Sequence, residues 1–370
     1  MLRKLDGLAD FCWLGTAPEQ RLSAFERLTL VGGDDLLRAA ARVARSFGDV
    51  QVPDKFHTID VAALERAAAF YTQHHFQDRP QTFFVPPDVR PLQVTEQRVH
   101  GFHDGEVVDL SFESGYRGQF PGAEALFALH PCNRTVRARL WRHFKGSAGT
   151  VIALHGWAMG DLRVNSLALM PGLVYRLGYD VVMPELPFHG RRAGAAEAPT
   201  IFPSTDAVLT NEAMAQAIHD LRALRGWLAD RGAARIGVLG ISLGGYVGSL
   251  LAALDEVDFL VAVVPVVSLP DVGWELLRQG PLRAELRSIG LTKERLERVS
   301  FLHSPLSHQP KTGAARVMIV AGRGDKVVPA HHPKKLWRHF GEPTMKWFRG
   351  GHVAHCLESA AFESILRFLE

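Results

Sequence analysis

Two hydrophobic patterns alternate along most of the chain. Short apolar runs without internal period occupy 151–154 (VIAL), 181–183 (VVM), 236–239 (IGVL), 259–264 (FLVAVV) and 317–320 (VMIV), with 344–348 as a last strand candidate. Between them, residues 162–177, 211–228, 243–254, 332–340 and 357–369 have helical length or a helical period. Strand alternating with helix implies crossover connections and a mostly parallel sheet buried on both faces. Unpatterned apolar strands are what such a sheet requires. The expected class is therefore α/β, a central sheet flanked by helices.

The first 150 residues have a different texture. Residues 136–144 (VRARLWRHF) alternate apolar and polar as a half-buried strand should, and 92–99 and 106–112 are further strand candidates. Residues 1–90 read as a helical extension. Asp34 can cap a helix running from Asp35 to Val43, and Asp60 a second one with Leu64, Ala68 and Tyr71 on one face. Phe83 to Pro87 reads as an extended linker. The expected division is an extension over 1–90 and one α/β domain over 91–370. Residues 270–310 are too long and too patterned for a bare loop; they read either as a small helical cap over the site or as an ordinary crossover helix with solvated charges. Packing and support is the expected role of the extension, with a lid or an oligomer surface as the alternative.

Composition narrows this picture little. With 370 residues, 47% hydrophobic and 22% charged, the chain is ordinary for a globular protein and longer than one average domain. Net charge is +3, and Asp and Glu are interleaved with the basic residues, so there is no basic stripe to suggest nucleic-acid binding. Cys12, Cys132 and Cys356 form no CxxC pair, which argues against a structural zinc finger or a disulfide framework and fits a reducing, cytoplasmic setting. Asp6 and Asp10 interrupt any apolar core near the N-terminus, so no signal peptide is expected. Residues 236–254 are 19 positions without a charge, but their five glycines and two serines read as a buried strand, a turn and a buried helix run together. No stable membrane insertion is expected.

That turn is where chemistry enters. Gly240-Ile241-Ser242-Leu243-Gly244 has the G-x-S-x-G form, directly after a strand and directly before a helix. A serine on a sharp strand-to-helix turn needs small neighbours because other chain passes close. Its partners follow from position. Asp325 lies just past the strand 317–320, and His352 lies in a glycine-rich loop after the final strand. His155-Gly156-Trp157 ends an earlier strand, so the backbone N–H of Trp157 can pair with that of Leu243 as an oxyanion hole. Rival assignments are His355 as base and Asp271 as acid. A metal reading would draw on His331, His332, His352 and His355, but there is no H-E-x-x-H and the His352–His355 spacing suits no helical ligand pair. No G-x-G-x-x-G opens a helix after a strand, so no dinucleotide site is expected either. The expectation is no metal and no cofactor.

Taken together, His155-Gly156-Trp157, Gly240 to Gly245, Gly322-Arg323-Gly324-Asp325 with Val328-Pro329, and Gly350-Gly351-His352 resemble the α/β-hydrolase superfamily over residues 92–370. The resemblance implies serine hydrolase chemistry with Ser242, Asp325 and His352 as triad. Met183 to Arg191 is similar to the family's loop after the next strand, which often carries Gly before His-Gly. Phe188 stands at that position here. His189 is expected as a loop or pocket residue, and His155 as a structural hydrogen-bonder. Trp157, His189 and Tyr246 are the substrate-binding candidates. The expected activity is a carboxylesterase working through an acyl-enzyme on Ser242, with a small acyl ester of no strong charge as substrate. A peptidase or acyltransferase with the same triad and a non-catalytic binding protein on the same fold are the alternatives. Nothing in the sequence sets the oligomeric state.

Overall fold

Nine strands join in one sheet of order β1-β2-β3-β5-β4-β6-β7-β8-β9 in the computed structural model, which describes residues 61–88, 91–194, 201–204, 206–276, 281–352 and 359–370. Strands β1 (Thr95–Gly101), β2 (Gly105–Glu113) and β3 (Thr135–His143) form an antiparallel meander whose last strand pairs antiparallel with β5 (Tyr179–Pro184). From β5 onward, β4 (Gly149–Leu154), β6 (Ile236–Ile241), β7 (Leu260–Val263), β8 (Val317–Gly322) and β9 (Thr344–Phe348) are all parallel to their neighbours. The strand order runs outward in opposite directions from β4 and β6. That reversal opens a crevice beyond their carboxyl ends, where open α/β sheets place ligands.

The unpatterned runs are buried on both faces. In β4, Ile152 and Leu154 enter one hydrophobic cluster while Val151 and Ala153 enter the other, as alternation across a sheet requires. The first cluster is covered by the 24-residue helix α6 (Ala207–Asp230) and by α7 (Leu243–Leu254); the second packs under α4 (Leu162–Leu169), α5 (Pro171–Arg176) and α12 (Ser359–Leu369). The single helix expected over 162–177 is two helices. Pro171 lacks the N–H that an unbroken helix needs, and Met170 before it takes a left-handed φ of 45°. The uncharged stretch 236–254 is β6, a turn and α7. No helix of the described residues is long and apolar enough to cross a membrane.

The segment over 61–88 joins the same core. Helix α1 (Val61–Tyr71) and α2 (His74–Asp78) lead into a 3₁₀ turn at Pro80–Phe83, and Tyr71, Phe76, Phe83 and Phe84 are buried in the cluster that α6 covers. Phe83 and Phe84 are therefore core anchors rather than the linker expected from the following prolines. The Asp34 helix falls outside the described residues. Between β7 and β8, the stretch 270–310 carries three helices: α8 (Leu269–Leu276), α9 (Pro281–Ser288) and α10 (Lys293–Ser300), the last packing on α1. The short helices α3 (Ala123–Ala128), between β2 and β3, and α11 (His331–His339), between β8 and β9, complete the described set.

One buried carboxylate fastens several of these pieces. Glu212, on α6, is fully inaccessible. Its Oε1 accepts from the Tyr71 hydroxyl (2.8 Å) and the Phe120 N–H (3.0 Å), and its Oε2 from the Tyr116 hydroxyl (2.7 Å) and the Gln119 N–H (2.8 Å). Burial pushes the carboxyl pKa up, and the four donors oppose that shift. Glu212→Ala would leave these donors buried without an acceptor. It is expected to lower stability by about 3 kcal/mol, read as a fall in the urea midpoint.

Candidate active site

The serine turn is shaped by close approach of bare backbone. Ser242 sits at φ 55°, ψ −112°, a conformation L-residues rarely adopt. It is held there by its N–H donating to Val263 O (2.9 Å) and its carbonyl accepting from Tyr246 N (3.0 Å). A Cβ at Gly240 would lie 2.2 Å from Gly244 O, and a Cβ at Gly244 would lie 2.2 Å from Leu154 O, at the end of β4. Both flanking glycines are thus required by backbone that has nowhere to go. Gly244→Ala is expected to shift or unfold the turn and to lower the thermal midpoint by several degrees in a calorimetric scan.

His352 reaches the serine from the loop after the edge strand β9. The loops after β8 and β9 are zipped together by Arg323 N donating to Phe348 O (2.8 Å) and Gly324 N to Gly350 O (3.1 Å). This brings the Asp325 Oδ2 within 2.8 Å of His352 Nδ1, while His352 Nε2 lies 2.9 Å from Ser242 Oγ. The other oxygen, Oδ1, accepts from Val327 N (2.9 Å) and Val328 N (2.8 Å), which fixes the carboxylate plane. All three groups are buried, with Ser242 only 6% and His352 8% exposed. Asp271 is not at this histidine; its carboxylate pairs with Lys293 and Lys335. His355 lies outside the described residues.

The strand-end segment 155–157 runs alongside the serine. A Cβ on Gly156 would stand 3.5 Å from the Ser242 Cβ, so the backbone leading to Trp157 borders the nucleophile position. Leu243 is the first residue of α7, where a helix has no internal acceptor for its N–H. His155 is buried, with Nδ1 2.9 Å from Gly156 O and Nε2 accepting from Leu186 N (3.0 Å), the structural role expected for it. Those bonds define a neutral ring, and burial lowers its pKa to about 4.

The remaining substrate-binding candidates sit deeper. His189 is fully buried, with Nδ1 2.9 Å from Pro187 O. Its loop is anchored by Arg192, whose guanidinium donates to Glu185 O, Asn133 O and Asp220 Oδ2. Phe188 adopts φ 57°, so the position where glycine was expected does take a left-handed backbone, with a buried ring stacked on Phe127. Tyr246, one turn along α7 from Ser242, is buried with its hydroxyl 2.6 Å from His303 Nδ1. His303 gave no local sequence signal, because its partner is 57 positions away.

Comparison with known proteins bears on the architecture. No family model matches the chain. The uncharacterized protein Rv2627c of Mycobacterium tuberculosis is 28% identical over 357 residues, covering 92% of this chain and 82% of that protein. Among solved structures, acetyl xylan esterase 1 from Thermoanaerobacterium sp. JW/SL YS485 matches with a TM-score of 0.57 at 15% identity, over 80% of this chain and 93% of that one. The acetyl xylan esterase of Paenibacillus sp. R4 matches with a TM-score of 0.58 at 13% identity, over 79% and 93%. This is an α/β-hydrolase fold. It places the Ser242 turn after the central β6 and the Asp325 and His352 loops after β8 and β9, all at the carboxyl edge of the sheet.

The histidines packed around this fold make its stability acid-sensitive. Burial lowers the pKa of His155 to about 4, of His303 to about 3 and of His308 to about 4. In the unfolded chain each titrates near 6.5. The unfolded state therefore binds more protons between these values. The stability contribution is complete above about pH 6.5 and declines as pH falls toward 4, by about 1.4 kcal/mol per pH unit for each histidine. Urea unfolding at stepped pH should show this slope, and His308→Gln should reduce it by about one proton.

Proposed function

We propose that the protein is a serine hydrolase that cleaves a small carboxylic ester through an acyl-enzyme on Ser242. The observation that carries the reading is the hydrogen-bonded chain Ser242 Oγ–His352 Nε2 (2.9 Å) and His352 Nδ1–Asp325 Oδ2 (2.8 Å) on a strained strand-to-helix turn. Two solved structures that share the fold are acetyl xylan esterases, which supports an ester over an amide as the bond cleaved. In the same reading residues 91–370 are the catalytic domain, and residues 1–90 are an extension that supports it.

In the reaction, His352 Nε2 takes the Ser242 hydroxyl proton as Oγ attacks the acyl carbonyl carbon. Asp325 accepts from Nδ1–H, holds the tautomer with Nε2 free to act as base, and stabilises the imidazolium. The carbonyl electron pair moves onto oxygen, where the N–H groups of Leu243 and Trp157 are the proposed donors. Such a pair is worth several kcal/mol in the transition state. Collapse expels the alcohol, which takes the proton from His352. Water then attacks the acyl-enzyme with His352 again as base, releasing the acid and restoring Ser242.

A fluorophosphonate probe is expected to label the wild type and not Ser242→Ala, and p-nitrophenyl acetate hydrolysis should vanish with the label. Asp325→Asn should retain the fold while kcat falls about 10⁴-fold, because the carboxamide favours the wrong imidazole tautomer. Equal labelling of wild type and Ser242→Ala would refute the reading.

A further inference from the structure

Helices α8 and α11 face each other through two side-chain pairs at matching helical spacing. Lys335 Nζ lies 3.1 Å from Asp271 Oδ2, and His331 Nε2 lies 3.0 Å from Glu275 Oε1. His332, next to His331, is fully buried and brings its Nε2 to 3.6 Å from Glu275 Oε2. Neither ring nitrogen of His332 has a hydrogen-bond partner among the described residues. A surface ion pair between Glu275 and His331 accounts for two of these residues and leaves the third unexplained. A buried imidazole with both nitrogens idle is costly unless something else engages it.

We propose that Glu275, His331 and His332 form a binding site for a divalent transition-metal ion of the zinc class, which clamps helix α8 to α11. One donor atom from each residue lies within 4.8 Å of the others. Four tetrahedral bonds of about 2.1 Å set neighbouring donors about 3.4 Å apart; His331 Nε2 lies 3.0 Å from one Glu275 oxygen and His332 Nε2 3.6 Å from the other, so each imidazole is already near that spacing from the carboxylate. Two imidazoles and one carboxylate suit zinc or cobalt and not magnesium or calcium, which take oxygen donors. The His331 side chain is 48% exposed and that of Glu275 39%, which leaves a path for the ion and for a water as fourth ligand. Nearby Lys335 pairs with Asp271, and Lys293 with Asp271 and Glu297, so Glu275 supplies the local negative charge.

This site is separate from the triad, whose His352 nitrogens face Asp325 and Ser242. Its effect is on position. His332 N donates to Pro329 O (2.9 Å), and Pro329 directly follows the residues whose N–H groups hold Asp325. An ion that ties α8 to the start of α11 therefore steadies both α8 and the loop of the triad acid.

The test uses the full chain freed of metal with a chelator. Titration with Co²⁺ at pH 7 should develop visible absorption that saturates at one equivalent. Zn²⁺ should displace it, excess Mg²⁺ should not, and Zn²⁺ should raise the thermal midpoint. Glu275→Gln and His331→Ala change exposed side chains, and circular dichroism checks that both fold. Each should weaken Co²⁺ binding at least tenfold and abolish the zinc-dependent rise, whereas Ser242→Ala should bind as the wild type does. Absence of Co²⁺ uptake by the wild type overturns the proposal, as does uptake undiminished in both exposed variants.

Discussion

A serine held at positive φ between two glycines is the constraint on which the arrangement of the sheet edge depends. Holding Ser242 there costs about 1–3 kcal/mol, and the strain persists only because β6 and β7, α7 and the end of β4 all grip the turn. The grip demands backbone contact at van der Waals range, so Gly240 and Gly244 cannot carry a side chain. The same closeness sets Gly156 and the segment leading to Trp157 against the serine. One tight turn thus determines where the nucleophile, its proposed oxyanion donors and the first turn of α7 lie.

The loops that complete the site are held by a different means. Backbone hydrogen bonds join the β8 and β9 loops, and Asp325 spends one oxygen on two N–H groups before offering the other to His352. Buried charge plays the same fastening role elsewhere. Arg192 bonds to Asn133, Glu185 and Asp220 and so secures the loop of His189 against α6. Glu212 does likewise for Tyr71, Tyr116 and the 119–120 backbone. Removing one partner of such a group is costly because the other stays buried and unpaired.

Much of this was legible in the residue pattern. Every strand candidate became a strand within a few positions; for β4, β6, β7 and β8 this follows because a strand buried on both faces must be a short continuous apolar run. Ser242, Asp325 and His352 could be named from their places at strand ends, and these three are hydrogen-bonded to one another. The break at Met170–Pro171 was present in the sequence but outweighed by the apolar period around it. Phe83 and Phe84 read as linker because the prolines that follow suggest extended chain, while their burial depends on α6, more than 120 positions later.

The sequence by itself determined the class of fold, the strand-turn-helix at Ser242 and the order of the three residues around it, since each rests on local spacing and on the apolar periodicity of short segments. Tertiary structure alone decided which polar groups would meet. Glu212 with Tyr71 and Tyr116, Tyr246 with His303, and Glu275 with His331 and His332 join residues dozens of positions apart. A hydrogen bond or a ligand set depends on distances of about 3 Å. Local sequence period does not encode such distances between remote segments; the packing of helices on the sheet does.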